Sequence, residues 1–128
     1  MRNRSTNVDT LMKIRLPLPH KALHPNTRTH WAAKARQVKI AREAARREAF
    51  KLLRDVEVPL ILKSYSVTRY YKGKSPDADN TLSSVKAYLD GICDAFRTDD
   101  KTLEMTGISR IKAPENCVEI DLEFEDLS

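Results

Sequence analysis

Val118-Glu119-Ile120-Asp121-Leu122-Glu123-Phe124-Glu125 alternates apolar and acidic side chains without a break. A strand sends successive side chains to opposite faces, so this segment is expected to be a β-strand, dry on one face and wet on the other. Ahead of it, Pro114-Glu115-Asn116 supplies a turn, and Glu104 to Lys112 is a weaker strand broken by Gly107. Val58 to Tyr71, rich in Val, Ile, Tyr and Thr, should be the longest strand. Leu11 to Leu18 sets Met12, Ile14, Leu16 and Leu18 against Lys13 and Arg15, and Pro17 and Pro19 end it. Two helices separate these strands. Trp31 to Leu53 holds neither Gly nor Pro, and its stripe of Val38, Ala41, Ala45, Ala49 and Leu52 is small enough for close packing on a sheet. Asn80 to Phe96 places Leu82, Val85, Leu89, Ile92, Cys93 and Phe96 on one arc. The order βαβαββ, with neither repeat nor linker, predicts a single α/β (α+β) domain, its mixed sheet packed with helices. Residues 1–10 are polar and form a loose N-terminus in this reading.

The chain has 128 residues, 32% of them charged, and a formal net charge of +5. The charge is uneven. Residues 28–54 hold nine Lys or Arg against Glu43 and Glu48, whereas Glu115 to Ser128 holds six acids and no base. A basic face of that kind attracts a polyanion, nucleic acid being the commonest, although a solvated helix face produces the same pattern. Cys93 and Cys117 have no metal or redox spacing and suit buried, reduced thiols. No apolar run reaches membrane-spanning length and no secretory leader is visible at Met1, so a soluble, cytoplasmic protein without a membrane partner is expected. Gly73-Lys74-Ser75 lacks the upstream glycine of a phosphate-binding loop, which leaves no nucleotide cofactor. His20, His24 and His30 lie in a loop without a fourth zinc ligand, and Trp31 is assigned to core or helix packing.

Against this basic background stand Ser75-Pro76-Asp77-Ala78-Asp79-Asn80 and, some twenty residues on, Asp99-Asp100. Carboxylates facing a phosphate backbone repel it unless a hard cation lies between, and carboxylate oxygens are the preferred ligands of Mg²⁺. Asp77 and Asp79, at i and i+2 in extended chain, point to one side. Asp79, Ser83, Lys86 and Asp90 then share a helical stripe separate from the apolar arc. Asp99-Asp100, just past the helix's C-terminal end, opposes the helix dipole. Each feature also has an ordinary explanation: Asp79 as an N-cap, Pro76-Asp77 as turn chemistry, Lys86 and Asp90 as an i,i+4 pair, Asp99-Asp100 as a solvated turn. Their joint occurrence favours a metal site.

At these residues the chain resembles the RusA family of Holliday junction resolvases, whose pattern is an Asp-x-Asp-Asn turn, a helix bearing a Lys and an Asp, and an Asp-Asp pair. Here these are Asp77-Ala78-Asp79-Asn80, Lys86 with Asp90, and Asp99-Asp100; Pro25-Asn26-Thr27-Arg28 and the basic helix extend the likeness from about Leu11 to Phe124. The resemblance implies a RusA-like fold and a Mg²⁺-dependent homodimeric endodeoxyribonuclease that cuts four-way DNA, with Mn²⁺ able to substitute. It implies Asp77, Asp79 and Asp100 as metal ligands, with Lys86 completing the catalytic set by stabilising charge on the phosphate. Asp90 and Asp99 would be supporting residues, and Asn26, Arg28, Lys72, Lys74 and Asn80 would contact DNA. One departure stands out. The family's Lys follows the Asn by three residues, whereas Lys86 follows Asn80 by six and Ser83 takes the usual place, which moves Lys86 about 4.5 Å along the axis. The alternative is a branched-DNA-binding module of the same fold with weak or no catalysis.

Overall fold

The computed structural model describes residues 11–20, 23, 31–54, 56, 60–74 and 78–125, with the backbone alone described for residues 11, 78–80 and 100. The expected loose segment 1–10 lies outside the described residues.

Four strands form one mixed sheet in the order β1-β4-β2-β3: β1 (Leu11–Pro17), β2 (Ile61–Tyr71), β3 (Glu104–Lys112) and β4 (Cys117–Glu125). β4 lies antiparallel between β1 and β2, while β2 and β3 run parallel. Parallel neighbours need a crossover. It is made by α2 (Ala78–Ser84) and α3 (Lys86–Phe96), and α1 (Trp31–Leu53) joins β1 to β2. The domain is therefore α+β, with the predicted βαβαββ order kept in outline.

The alternation in β4 sorts the sheet as expected. Val118, Ile120, Leu122 and Phe124 are buried at 1% exposure or less. They lie with Ile14, Leu16, Leu62, Val67, Ile92 and Phe96 in one core, where the Phe96 and Phe124 rings stand 5.2 Å apart at 51°. The opposite face holds a polar lattice. Lys13 Nζ lies 3.5 Å from Glu119 and 3.8 Å from Asp121, Tyr70 donates its hydroxyl to Glu119 at 3.2 Å, and Ser64 donates to Glu123 at 2.7 Å. Glu119, Asp121 and Glu123 thus each meet a cation or hydroxyl on a neighbouring strand, so this face is wet yet partly self-covered, and Glu119 is only 8% exposed.

Four expectations are corrected. The small stripe of α1 does bury Ala41, Ala45 and Ala49, but it packs chiefly on α3, with a smaller contact to β1. The reason lies opposite, at Gly91, where a Cβ would collide with the carbonyl oxygen of Arg42; the helices touch backbone to backbone. Gly107 does not break β3. The register slips instead between Tyr65 and Ser66, whose partners are Met105 and Gly107, leaving Thr106 as the extra residue of a bulge. Trp31 lies outside the core, 77% exposed, because it opens α1 about two turns before Val38, which packs against the core. The helix expected from Asn80 to Phe96 is two helices, divided at Val85.

Cys93 and Cys117 are buried and form no disulfide. Among the described residues no helix is long and apolar enough to cross a membrane.

Candidate active site

β2 ends in an exposed bend, Lys72-Gly73-Lys74, which leads toward α2. The backbone N–H of Lys72 donates to the side-chain oxygen of Asn116 at 2.9 Å, tying this bend to the turn between β3 and β4. Both lysines are thereby presented at one end of the sheet. Asp77, Asn26 and Arg28 lie outside the described residues. α2 begins at Ala78, so Asp79 and Asn80 occupy its first turn by backbone, and Asp79 stands inside the helix rather than at its cap.

A local side-chain bond accompanies the break at Val85. The Ser84 hydroxyl donates to the Thr81 carbonyl at 2.9 Å, occupying the acceptor that the Val85 N–H would use in a continuous helix. Val85 N–H turns instead to the Leu82 carbonyl at 3.2 Å, with φ −96° and ψ 2°. Val85, Thr81 and Ser84 are all buried, so core packing holds the turn. α3 restarts at Lys86.

Ser83, Lys86 and Asp90 nonetheless share a face, as their spacing predicted. Lys86 Nζ lies 3.6 Å from Asp90 Oδ1, the Lys86 side chain being 67% exposed and that of Asp90 28%. Ser83 and Lys86 form a ridge between two clefts. One, of about 280 Å³, is completed by Tyr65, Leu82, Leu89 and Leu103. The other, of about 340 Å³, lies between α1 and α3 and includes Lys34, Val38, Ala87 and Asp90. The first cleft is informative for the carboxylates. Leu82 and Ser83 lie one helical turn beyond Asp79, and Leu103 directly follows the 3₁₀ turn Asp100–Thr102. The segments that carry Asp79 and Asp100 therefore border one hollow beside Lys86.

Beyond α3 the chain closes on itself. Arg97 adopts a left-handed conformation with φ 55°, its N–H reaching the Asp94 carbonyl and Thr98 N–H the Cys93 carbonyl at 3.0 Å. Asp99 then organises the next turn: its Oδ1 accepts the Lys101 N–H at 3.0 Å, and its carbonyl accepts the Thr102 hydroxyl at 2.8 Å. This gives Asp99 a structural task. Asp100 opens the 3₁₀ turn by backbone.

The sequence reading missed Asp94 and the true role of Arg42. Asp94 is four residues beyond Asp90, so it extends the same stripe, and that spacing was the available signal. Arg42 reaches across from α1 with Nε 2.6 Å from Asp94 Oδ2 and Nη2 2.8 Å from Oδ1. This two-pronged bond holds the Asp94 carboxyl below its ordinary range and raises Arg42 further above its own. Asp90, Asp94 and Asp99 line a small polar cleft with Arg42, of about 150 Å³. Part of the basic charge of α1 is thus used within the fold, since Arg46 also pairs with Glu43 at 3.2 Å and Lys51 with Glu48 at 2.8 Å. Among the described residues no three His, Cys, Asp or Glu side chains group as a metal site. Asp77 and the side chains of Asp79 and Asp100 are not among them.

No protein-family model matches the chain. It is 37% identical over 101 residues to an uncharacterized protein of Xylella fastidiosa, an alignment covering 73% of this chain and 63% of that protein. The chain therefore spans less than two thirds of that relative's length. Among solved structures, thiamine monophosphate kinase from Aquifex aeolicus aligns with 91% of this chain and 33% of its own, at 14% identity and a TM-score of 0.43. A HypE–HypF complex aligns with 95% of this chain and 35% of its own, at 8% identity and a TM-score of 0.40. Likenesses at this level carry no conclusion about fold or chemistry.

Proposed function

We propose that this protein is a Mg²⁺-dependent endodeoxyribonuclease that resolves four-way DNA junctions, in keeping with its resemblance to the RusA family. One observation carries the reading: Leu82 and Ser83, one helical turn after Asp79, and Leu103, three residues after Asp100, line one cleft with Lys86. The donor set fits the ion, since Asp77, Asp79 and Asp100 offer only carboxylate oxygens, the ligand type of a hard divalent cation. When bound, Mg²⁺ or Mn²⁺ supplies Lewis-acid assistance to phosphodiester hydrolysis.

The chain's own groups do the rest. Lys86 places an ammonium where negative charge grows on the phosphate, and Asp90, 3.6 Å from it, holds that ammonium in position. Lys72 and Lys74, presented on the bend before α2, take flanking phosphates, with Asn26, Arg28 and Asn80 as further contacts. Asp99 supports Asp100 by organising its turn. One site cuts one strand, so resolving a junction calls for a two-fold homodimer. The two buried cysteines, not joined in a disulfide, accord with a reducing compartment, the cytoplasm.

A synthetic four-way junction tests the proposal: cleavage is expected with Mg²⁺, none with a chelator, and none in Asp79→Asn. The second reading, a binding module without catalysis, draws on the break at Val85, which resets the frame carrying Lys86. Chelator-insensitive junction binding without cleavage in any divalent ion would decide for it.

A further inference from the structure

We infer that the cleft between α1 and α3 receives one unstacked nucleotide, its base lying on Trp31 and its phosphate between Lys34 and Lys86. This inference rests on the nucleic-acid reading above and goes beyond it by naming the form of strand that is gripped. Trp31 is the chain's single tryptophan and stands 77% exposed at the start of α1. At about 100° per residue, Trp31, Lys34 and Val38 lie within about 60° of one another on that helix. Trp31 therefore stands on the same face of α1 as Lys34 and Val38, which line the cleft, one turn before Lys34.

The cleft matches a nucleotide in kind. Val38 and Ala87 give it apolar walls, Ser83 a hydroxyl, and Lys34 and Lys86 line it from two helices. The carboxylate there, Asp90, is paired with Lys86, so the two ammonium groups leave a net positive charge. Its volume, about 340 Å³, is that of a small-ligand pocket. An apolar peptide would gain from Trp31 and Val38 but would leave that net positive charge uncompensated. A nucleotide satisfies both, its base by stacking and its phosphate by charge. Bases inside a duplex are already stacked on each other, so the site selects strands with unpaired bases, such as single strands and open branch points.

Because Trp31 is the only indole, its emission reports the site directly. The full-length protein is titrated in EDTA with an oligodeoxythymidylate, a blunt duplex of equal length and a four-way junction, and total binding is followed in parallel by anisotropy of labelled DNA. Quenching is expected with the single strand and the junction but not with the duplex. Trp31→Ala, at an exposed position outside the core, is expected to weaken single-strand binding about tenfold and duplex binding less than twofold. Equal quenching by duplex, or equal loss of both affinities, overturns the inference, as does anisotropy-detected binding with unchanged emission. In those cases the nuclease proposal stands on its own cleavage assay. Absence of binding to any of the three DNAs removes both.

Discussion

Gly91→Ala is the sharpest perturbation of the frame that builds the site. A Cβ at this position would overlap the Arg42 carbonyl oxygen and lie 2.9 Å from its carbon and 3.0 Å from the Arg46 nitrogen. Carbon contacts are comfortable near 3.5 Å or beyond, so α1 and α3 must part by on the order of 1 Å. The obstacle is backbone, which cannot swing aside as a side chain can, so overpacking should reach the upper part of its usual range of about 1–3 kcal/mol. Replacing glycine inside a helix returns about 1 kcal/mol of intrinsic propensity. The net expectation is a loss of about 1–2 kcal/mol, or about 3–10 °C in Tm for a chain of this size. Gly73→Ala and Gly107→Ala are the controls, since a Cβ at either meets nothing within 4 Å. Thermal melting followed by circular dichroism measures all three. A Gly91→Ala protein as stable as wild type, or more stable, would refute the claim that backbone contact sets the distance between these helices.

Asp77→Asn, Asp79→Asn and Asp100→Asn are each expected to abolish Mg²⁺-dependent junction cleavage while leaving junction binding intact or stronger, because each removes negative charge near phosphate; gel cleavage and anisotropy read the two separately. Lys86→Ala should slow cleavage by about 10²–10³-fold, by analogy with the loss of one oxyanion donor, and normal cleavage would show that Lys86 is off the reacting phosphate. Asp99→Asn should cleave with a milder defect, since its carbonyl still accepts the Thr102 hydroxyl. Asp94, whose carboxyl is held low first by its hydrogen bonds from Arg42, contributes stability that is present above its ordinary value of 3.8 and lost as pH falls through its lowered folded value. Both partners are partly exposed, so the effect is at most about 1 kcal/mol, and acid titration of Asp94→Asn should lack it.

The strands were legible because burial imposes a period of two on them. β4 shows it at every residue from Val118 to Phe124, and a one-residue slip would have sent its acids into the core. The strand order was not legible, since alternation says which face is dry and nothing about which strand lies beside which. The partner of α1 was hidden for a related reason. A stripe of alanines announces close approach without naming what approaches, and here the answer lay in Gly91 on another helix. Trp31 failed in the opposite sense, because an aromatic residue is assigned to a core by its chemistry whereas its exposure depends on where a helix first meets its neighbour.

The candidate site was legible as a stripe and hidden as a frame. Ser83, Lys86 and Asp90 were placed together from helical spacing, and they line one cleft. A continuous helix, however, would have carried Lys86 steadily away from Asp79. Seven residues of α2 and eleven of α3, laid end to end at about 1.5 Å each, would separate Asp79 from Asp100 by more than 20 Å, far beyond the reach of two carboxylates on one ion. The turn at Val85 removes that constraint, because it lets α2 lie against β3 while α3 packs on α1. The residues that make the turn are Ser84 and Thr81, through a side-chain bond that no helical wheel registers. Ser84→Ala tests whether that bond causes the break. With the Ser84 hydroxyl removed from the Thr81 carbonyl, α2 and α3 should tend toward one helix, seen as a gain in helical circular dichroism. If the two carboxylate segments must meet for catalysis, junction cleavage should fall in the same variant. A Ser84→Ala protein with unchanged helicity would show that burial of Val85 alone maintains the turn, and the hydroxyl would lose its role.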